Sequence, residues 1–273
     1  MPSPFLETFW QYSLAIIPWF LIGSLIAYFL ELRLHKQALS KHLQTLRLRN
    51  ILSAQALGMI SPLSVMSALP VAGEFIDLGA NATLLLTFLV AERSYDLQSL
   101  FILSSLFGVR FAVLNMLAIF LSLTAASLVL SLHPITFTQK RDGKASGFWT
   151  RQLRTFLVVL VGIGVGALLH TLVPPQVFQH YAHTTFGGIL SGTLFGFVLY
   201  FGTILGNYPV AKAFSDLGMS SAGVFAFLTV SPVFNLVIIF LFTSVIKARI
   251  ILKMFAVYAV TALLLSFLFP AFL

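Results

Sequence analysis

The stretch Pro209–Asn235, PVAKAFSDLGMSSAGVFAFLTVSPVFN, is echoed 139 positions earlier by Pro70–Asp96. The matched pairs are Pro70/Pro209, Val71/Val210, Ala72/Ala211, Phe75/Phe214, Asp77/Asp216, Leu78/Leu217, Gly79/Gly218, Phe88/Phe227 and Leu89/Leu228. Nine identities fall in the 20 positions Pro70–Leu89 without a gap, and Leu97/Leu236, Phe101/Phe240, Ser105/Ser244 and Arg110/Arg249 keep the same register. Apolar composition alone does not produce that alignment, so the chain reads as one unit used twice. The halves divide at 1–138 and 139–273, two repeats of one integral membrane domain.

The solvent of that domain follows from composition. Hydrophobic residues make up 59% of the chain, charged residues 9%, and mean hydropathy is +0.98. A water-soluble core has no use for so much apolar surface, so the predicted class is an all-α, multi-pass membrane protein. Short alternating segments, the mark of a membrane barrel, do not occur. The first apolar run, Trp10–Leu30, lacks a basic leader and a small-residue cleavage pattern, and is read as a true span. The net charge of +8 comes from bases in short loops, so it points to membrane topology and not to nucleic acid. With no cysteine, disulfides, thiolate metal sites and thiol chemistry are excluded together.

The remaining apolar runs are Ile51–Leu69, Ala80–Ala91, Leu97–Gly108 and Phe111–Leu132, then Leu153–Val173, Phe186–Gly206, Met219–Val230, Val233–Ile246 and Ile250–Phe269. Glu31–Arg49, with five Lys/Arg, fits either an amphipathic surface helix or a solvated basic linker. The pairs 80–91/97–108 and 219–230/233–246 are each half a span long, the second hinged at Ser231–Pro232, where proline removes a backbone donor. If each pair were one crossing, the basic loops would fall on opposite sides. If each is a re-entrant hairpin, 31–49, 134–154, 207–217 and 247–253 share one side with fourteen of the sixteen Lys/Arg. The expected fold therefore has two inverted-topology repeats, each with three transmembrane helices plus a re-entrant half-helix hairpin, about eight hydrophobic segments in all. Both termini lie outside.

Opposed hairpins would meet near the bilayer midplane, the layout of transporters with broken helices and a central site. A half-helix ending there leaves backbone groups that protein, water or solute must satisfy. The candidate substrate contacts are Asn207, Pro209, Thr229, Ser231 and Asn235, with Pro70 and Thr87 in the first copy. The first hinge also carries Glu92, Arg93 and Asp96, either a surface pair at a turn or a charged gate or proton site. Asp77 and Asp216 read as caps of half-helices, or else as coupling or gating groups. Gly79 and Gly218 read as turn or close-packing positions. Gly162-x-Gly164-x-Gly166 has a nucleotide-loop spacing but lies mid-span, so it is a packing face, as is Gly188/Gly192/Gly196. His180 and His183 have no third ligand in view, and His170 reads as an interface residue. No metal, cofactor or catalytic constellation is expected, and no enzymatic activity.

The second copy, Gly206-Asn-Tyr-Pro-Val-Ala, then Asp-Leu-Gly, then Ala226-Phe-Leu-Thr-Val-Ser-Pro-Val-Phe-Asn235, resembles the signature of the predicted-permease family that includes the ArsP-type organoarsenical efflux permeases. Gly206, Pro209, Val210, Ala211, Gly218, Ala226, Phe227, Leu228, Ser231, Pro232 and Asn235 carry the likeness. The first copy shares it through Pro70, Val71, Ala72, Gly79, Phe88 and Leu89, and departs after Ala91. The resemblance implies a permease fold over most of the chain. It does not carry over thiolate binding of trivalent arsenic, because Thr203–Gly206 and Ser64–Ser67 stand where cysteines are expected.

The expected function is a permease of a bacterial inner (plasma) membrane, a secondary transporter or exporter of a small solute working by alternating access. A passive channel of the same architecture, and a membrane scaffold or assembly subunit with a degenerate site, are the alternatives. Saturable, gradient-coupled flux separates the first two; a stable partner without flux marks the third. The expected partners are a small solute and the lipid bilayer, with room for a homo-oligomer and none for nucleic acid.

Overall fold

The computed structural model describes residues 3–33, 41–61, 75–135, 147–244 and 246–268. Every regular element among them is helical. The first half contains α1 (Pro4–Arg33), α2 (Leu48–Ile60), α3 (Ala82–Ser94), α4 (Leu97–Phe107) and α5 (Val109–Ser131). The second contains α6 (Phe148–Leu172), α7 (Pro175–Ala182), α8 (Thr185–Val198), α9 (Asn207–Asp216), α10 (Ser221–Val230), α11 (Leu236–Thr243) and α12 (Ala248–Leu268). A single 3-10 turn, Ile204–Gly206, precedes α9. Four helices, α1, α5, α6 and α12, are long and apolar enough to cross a membrane, and much of their surface is apolar and exposed, as a lipid-facing surface must be.

The duplication extends to individual hydrogen bonds. Phe75 O accepts from Ala80 N, and Phe214 O from Met219 N, both at 2.9 Å. Asn81 N donates to Leu43 O at 2.7 Å, and Ser220 N to Ala182 O at 3.0 Å, each pair again 139 apart. Gly79 and Gly218 have φ of +86° and +94°. The shared Asp-Leu-Gly is thus a helix C-terminus: Asp ends the helix, and glycine takes the left-handed position that lets the next N–H close back on the last turn. This corrects the reading of Asp77 and Asp216 as N-caps. The caps of the following helices are Asn81, which accepts from Thr83 N and Leu84 N, and Ser220, which accepts from Gly223 N.

Contacts fix the helix directions. Tyr12 meets His170, Phe20 meets Phe156, and Tyr28 meets Phe148 and Trp149. The equivalent helices α1 and α6 therefore run antiparallel. Glu31 and Arg151 close one end of that pair as an ion pair. Along α5, the α3–α4 segment also runs antiparallel: Thr87 donates to Ser127 at 3.0 Å, Tyr95 OH to Ala112 O at 3.1 Å, and Phe107 stacks on Phe111. Likewise Ile189, Ala222 and Ala226 pack with Leu263, Tyr258 OH donates to Thr229 O at 2.7 Å, and Phe242 meets Phe255.

These contacts relocate the hairpin. The half-length pairs α3/α4 and α10/α11 do not double back: each is an interrupted helix running along the full helix that comes after it. The segment that doubles back is α8–α9, where hydropathy predicts a span over Phe186–Gly206. α8 ends at Val198, and α9 returns so that Ser220 and Gly218 lie beside Gly188 and Gln179 near the start of α8. Asn207–Leu217 is accordingly a buried helix packed on α6, not a loop on the basic side. The physical reason is glycine. Gly162 and Gly166 let Gly206 and Pro209 press their backbones onto α6, while Gly188, Gly192 and Gly196 let α10 do the same on α8. Gly164 faces open space.

Within the expected second span, α2 covers Leu48–Ile60; residues 62–74, Pro70 among them, lie outside the described residues. Part of the expected amphipathic helix over 31–49 does so too. Within its described part, Leu43 is fully buried and the chain turns at 43–45.

Candidate functional site

Among the described residues, three backbone interruptions lie inside the helical body. The first is Tyr95–Asp96, both in extended conformation between α3 and α4. Asp96 caps α4: its Oδ1 accepts from Ser99 N and Ser99 Oγ, each at 2.7 Å. The second is Ser231–Asn235, between α10 and α11. Asn235 is fully buried; its Oδ1 accepts from Ile238 N at 2.9 Å and its amide nitrogen donates to Ser231 O. Asp96 and Asn235 are equivalent positions, so both breaks cap the second half-helix with the same kind of acceptor. The third is Leu199–Gly206, the tip of the α8–α9 hairpin. Asn207 Nδ2 donates to Leu199 O at 3.0 Å and its Oδ1 accepts from Phe201 N at 3.4 Å. Each cap satisfies backbone groups that an apolar surrounding cannot.

The first break and the hairpin tip meet, and they come from different halves. Arg93 Nη2 donates to Gly202 O at 2.8 Å, and its guanidinium lies 5.4 Å from the centre of the Tyr200 ring. Glu92 and Asp96 flank Tyr200, and Tyr208 sits among Tyr95, Asp96, Ser99 and Tyr200. Glu92, Arg93 and Asp96 are half-buried, and Tyr208 is 1% exposed. Arg93 Nε, Tyr200 Oη and Tyr208 Oη are buried without a hydrogen-bond partner. Placing an arginine at mid-helix in a bilayer costs about 2.5–3.5 kcal/mol on insertion scales. Here the charged residues of the first break are gathered against the hairpin tip of the other half.

The other expected residues are distributed around this centre. Thr229 accepts from Asn115 Nδ2 at 2.9 Å and lends its carbonyl to Tyr258, while Ser231 Oγ is buried without a partner. These two line the second break. Thr87 packs on α5, and Pro209 on Gly166. Asp216 lies at the far end of α9, where it accepts from Tyr12 OH at 2.8 Å and pairs with Lys212, close to His170. Asp77 occupies the matching helix end in the first half. The structure thus brings together Glu92, Arg93 and Asp96 and separates them from Asp216. Sequence reasoning missed Tyr200, Gly202 and Tyr208. A tyrosine hydroxyl inside an apolar run, as in Asn207-Tyr208-Pro209, is the signal that was there. Among the described residues no group of three His, Cys, Asp or Glu could hold a metal.

A family model described as a predicted permease, ArsP_1, matches residues 3–132 and 136–271. No curated protein and no solved structure matches the chain.

Proposed function

Because the chain belongs to the ArsP_1 family of predicted permeases, we propose that it is a secondary transporter of a small solute, an exporter of the bacterial plasma membrane, working by alternating access. Its two halves are inverted repeats in this reading, each with two full helices and one interrupted span, and the second half carries the re-entrant hairpin α8–α9. The observation that carries this reading is the meeting of the first-half break with the second-half hairpin tip, through Arg93, Gly202 and Tyr200. A site built jointly by two halves opens to one side or the other as they rock. The antiparallel course of α1 and α6 supports the inversion, as does charge. The segments 31–49, 133–154 and 247–253, which adjoin the α1 end, the α6 start and the α12 start, hold thirteen of the sixteen Lys/Arg. Both termini then lie outside. The solute is not a thiolate-bound arsenical, because the chain has no cysteine. Glu92, at the joint site, is the proposed coupling residue.

The test is a deletion strain screened against metalloids, anions and antimicrobials, followed by flux of the hit in liposomes. Saturable flux driven by a proton gradient is expected. Non-saturating flux would make the protein a channel, and no flux with a stable co-purifying partner would make it a scaffold.

A further inference from the structure

The joint site has a chemical sign. Among its buried polar atoms, Arg93 Nε, Tyr200 Oη and Tyr208 Oη make no hydrogen bond of good geometry, although Tyr200 faces the Arg93 guanidinium and Tyr208 faces Ser99. The first can only donate, and the two hydroxyls donate readily. Their missing partner is therefore an acceptor. Two further features favour an acceptor with negative charge. Arg93 is cationic, and Tyr208 stands in the first turn of α9, whose N-cap Gly206 supplies no side-chain acceptor. Two carboxylates, of Asp96 and Glu92, share the site with Arg93 and carry the opposite charge. Asp96 is committed to α4, its Oδ1 held by Ser99 N and Ser99 Oγ. Glu92 stands next to Arg93 on α3.

We propose that Arg93, Tyr200 and Tyr208 bind the oxyanion group of the solute, a carboxylate or a phosphoryl group. This rests on the permease reading and names the substrate class of the same site. Arg93 supplies the charge-assisted bond, and the two hydroxyls, one from the hairpin tip and one from α9, complete the cradle. A solute held this way bridges the first-half break and the second-half hairpin, so its binding and the relative position of the halves are linked.

The experiment measures binding to the purified full-length protein in detergent, with benzoate and methylphosphonate as oxyanion probes and tetraethylammonium as the cationic control. The expected result is saturable binding of at least one oxyanion, weakened about tenfold in Tyr208→Phe and in Tyr200→Phe and lost in Arg93→Gln. Lys253→Gln, at another part of the molecule, leaves it unchanged. The phenylalanine variants guard against misfolding: each removes a hydroxyl that makes no hydrogen bond of good geometry within the protein, so their thermal midpoints without probe lie close to wild type. Benzoate against methylphosphonate tells carboxylate from phosphoryl. No saturable oxyanion binding, wild-type affinity in both phenylalanine variants, or tighter binding of tetraethylammonium would overturn the proposal. Because no gradient is involved, oxyanion binding without flux would refute the permease reading alone, and flux of a solute lacking an oxyanion would refute the substrate class alone.

Discussion

Replacing Asn235 with alanine removes two bonds from one break. Ile238 N loses its acceptor at 2.9 Å, and Ser231 O loses the amide donor. Loss of an N-cap costs about 1 kcal/mol, and an orphaned buried carbonyl about 1–3 kcal/mol. No water reaches Asn235, which is fully buried, so Asn235→Ala is expected to destabilise the protein by about 2–4 kcal/mol. The equivalent first-half residue provides the internal control. Asp96→Asn keeps an oxygen for Ser99 N, which donates to Asp96 Oδ1 at 2.7 Å, so it is expected to cost less than about 1 kcal/mol. The assay is unfolding in dodecyl maltoside micelles titrated with dodecyl sulfate, followed by fluorescence of the three tryptophans. If Asn235→Ala lies within about 0.5 kcal/mol of wild type, or if Asp96→Asn is as damaging, the two breaks are not capped as described.

Gly192→Ala sets a methyl group against the Gly223 carbonyl and forces α8 and α10 apart, an overpacking of about 1–3 kcal/mol. Gly164→Ala, with nothing within 4 Å, should instead be neutral or slightly stabilising in the same titration. Tyr12→Phe gives up a bond to a half-buried carboxylate and should cost about 1.5–3 kcal/mol, whereas Lys212→Gln, breaking a partly solvated i,i+4 pair, should cost no more than about 0.5 kcal/mol; the reverse order would show that the lysine, not the tyrosine, holds Asp216. Glu92→Gln should abolish proton-driven flux in liposomes, and unchanged flux would remove Glu92 as the coupling group. Cysteines placed singly at Gln37 and Gly143 should label from the same side, since labelling from opposite sides contradicts the charge-based topology.

Much of the fold could be read from residues whose physics is local. The repeat register, the four long apolar helices and the packing role of Gly162, Gly166, Gly188, Gly192 and Gly196 all follow from spacing and side-chain size. Hydropathy misplaces the hairpin for an equally local reason. Half-length runs on either side of Ser231–Pro232 look alike whether the chain turns back or continues, and hydropathy carries no direction. Leu199–Gly206 is as apolar as the helix before it, so nothing in composition marks it as a tip. Its break depends on Asn207 bonding back to Leu199 and Phe201, a tertiary fact. Asp216 resembles a cap because Asp commonly caps, but Gly218 two residues later is the stronger sign, of a C-terminus. The hinge acids Glu92 and Asp96 are visible as expensive charges. Tyr200 and Tyr208 are not, because the residues they lie against come from the other half of the chain.

The most direct test of alternating access is the reactivity of a single cysteine at Thr203, in the hairpin tip beside Gly202. The native chain has no cysteine to interfere. Right-side-out and inside-out vesicles carrying Thr203→Cys are treated with a membrane-impermeant maleimide. The account predicts labelling from both faces, because the tip is exposed to each side in turn. Labelling from one face only would contradict it.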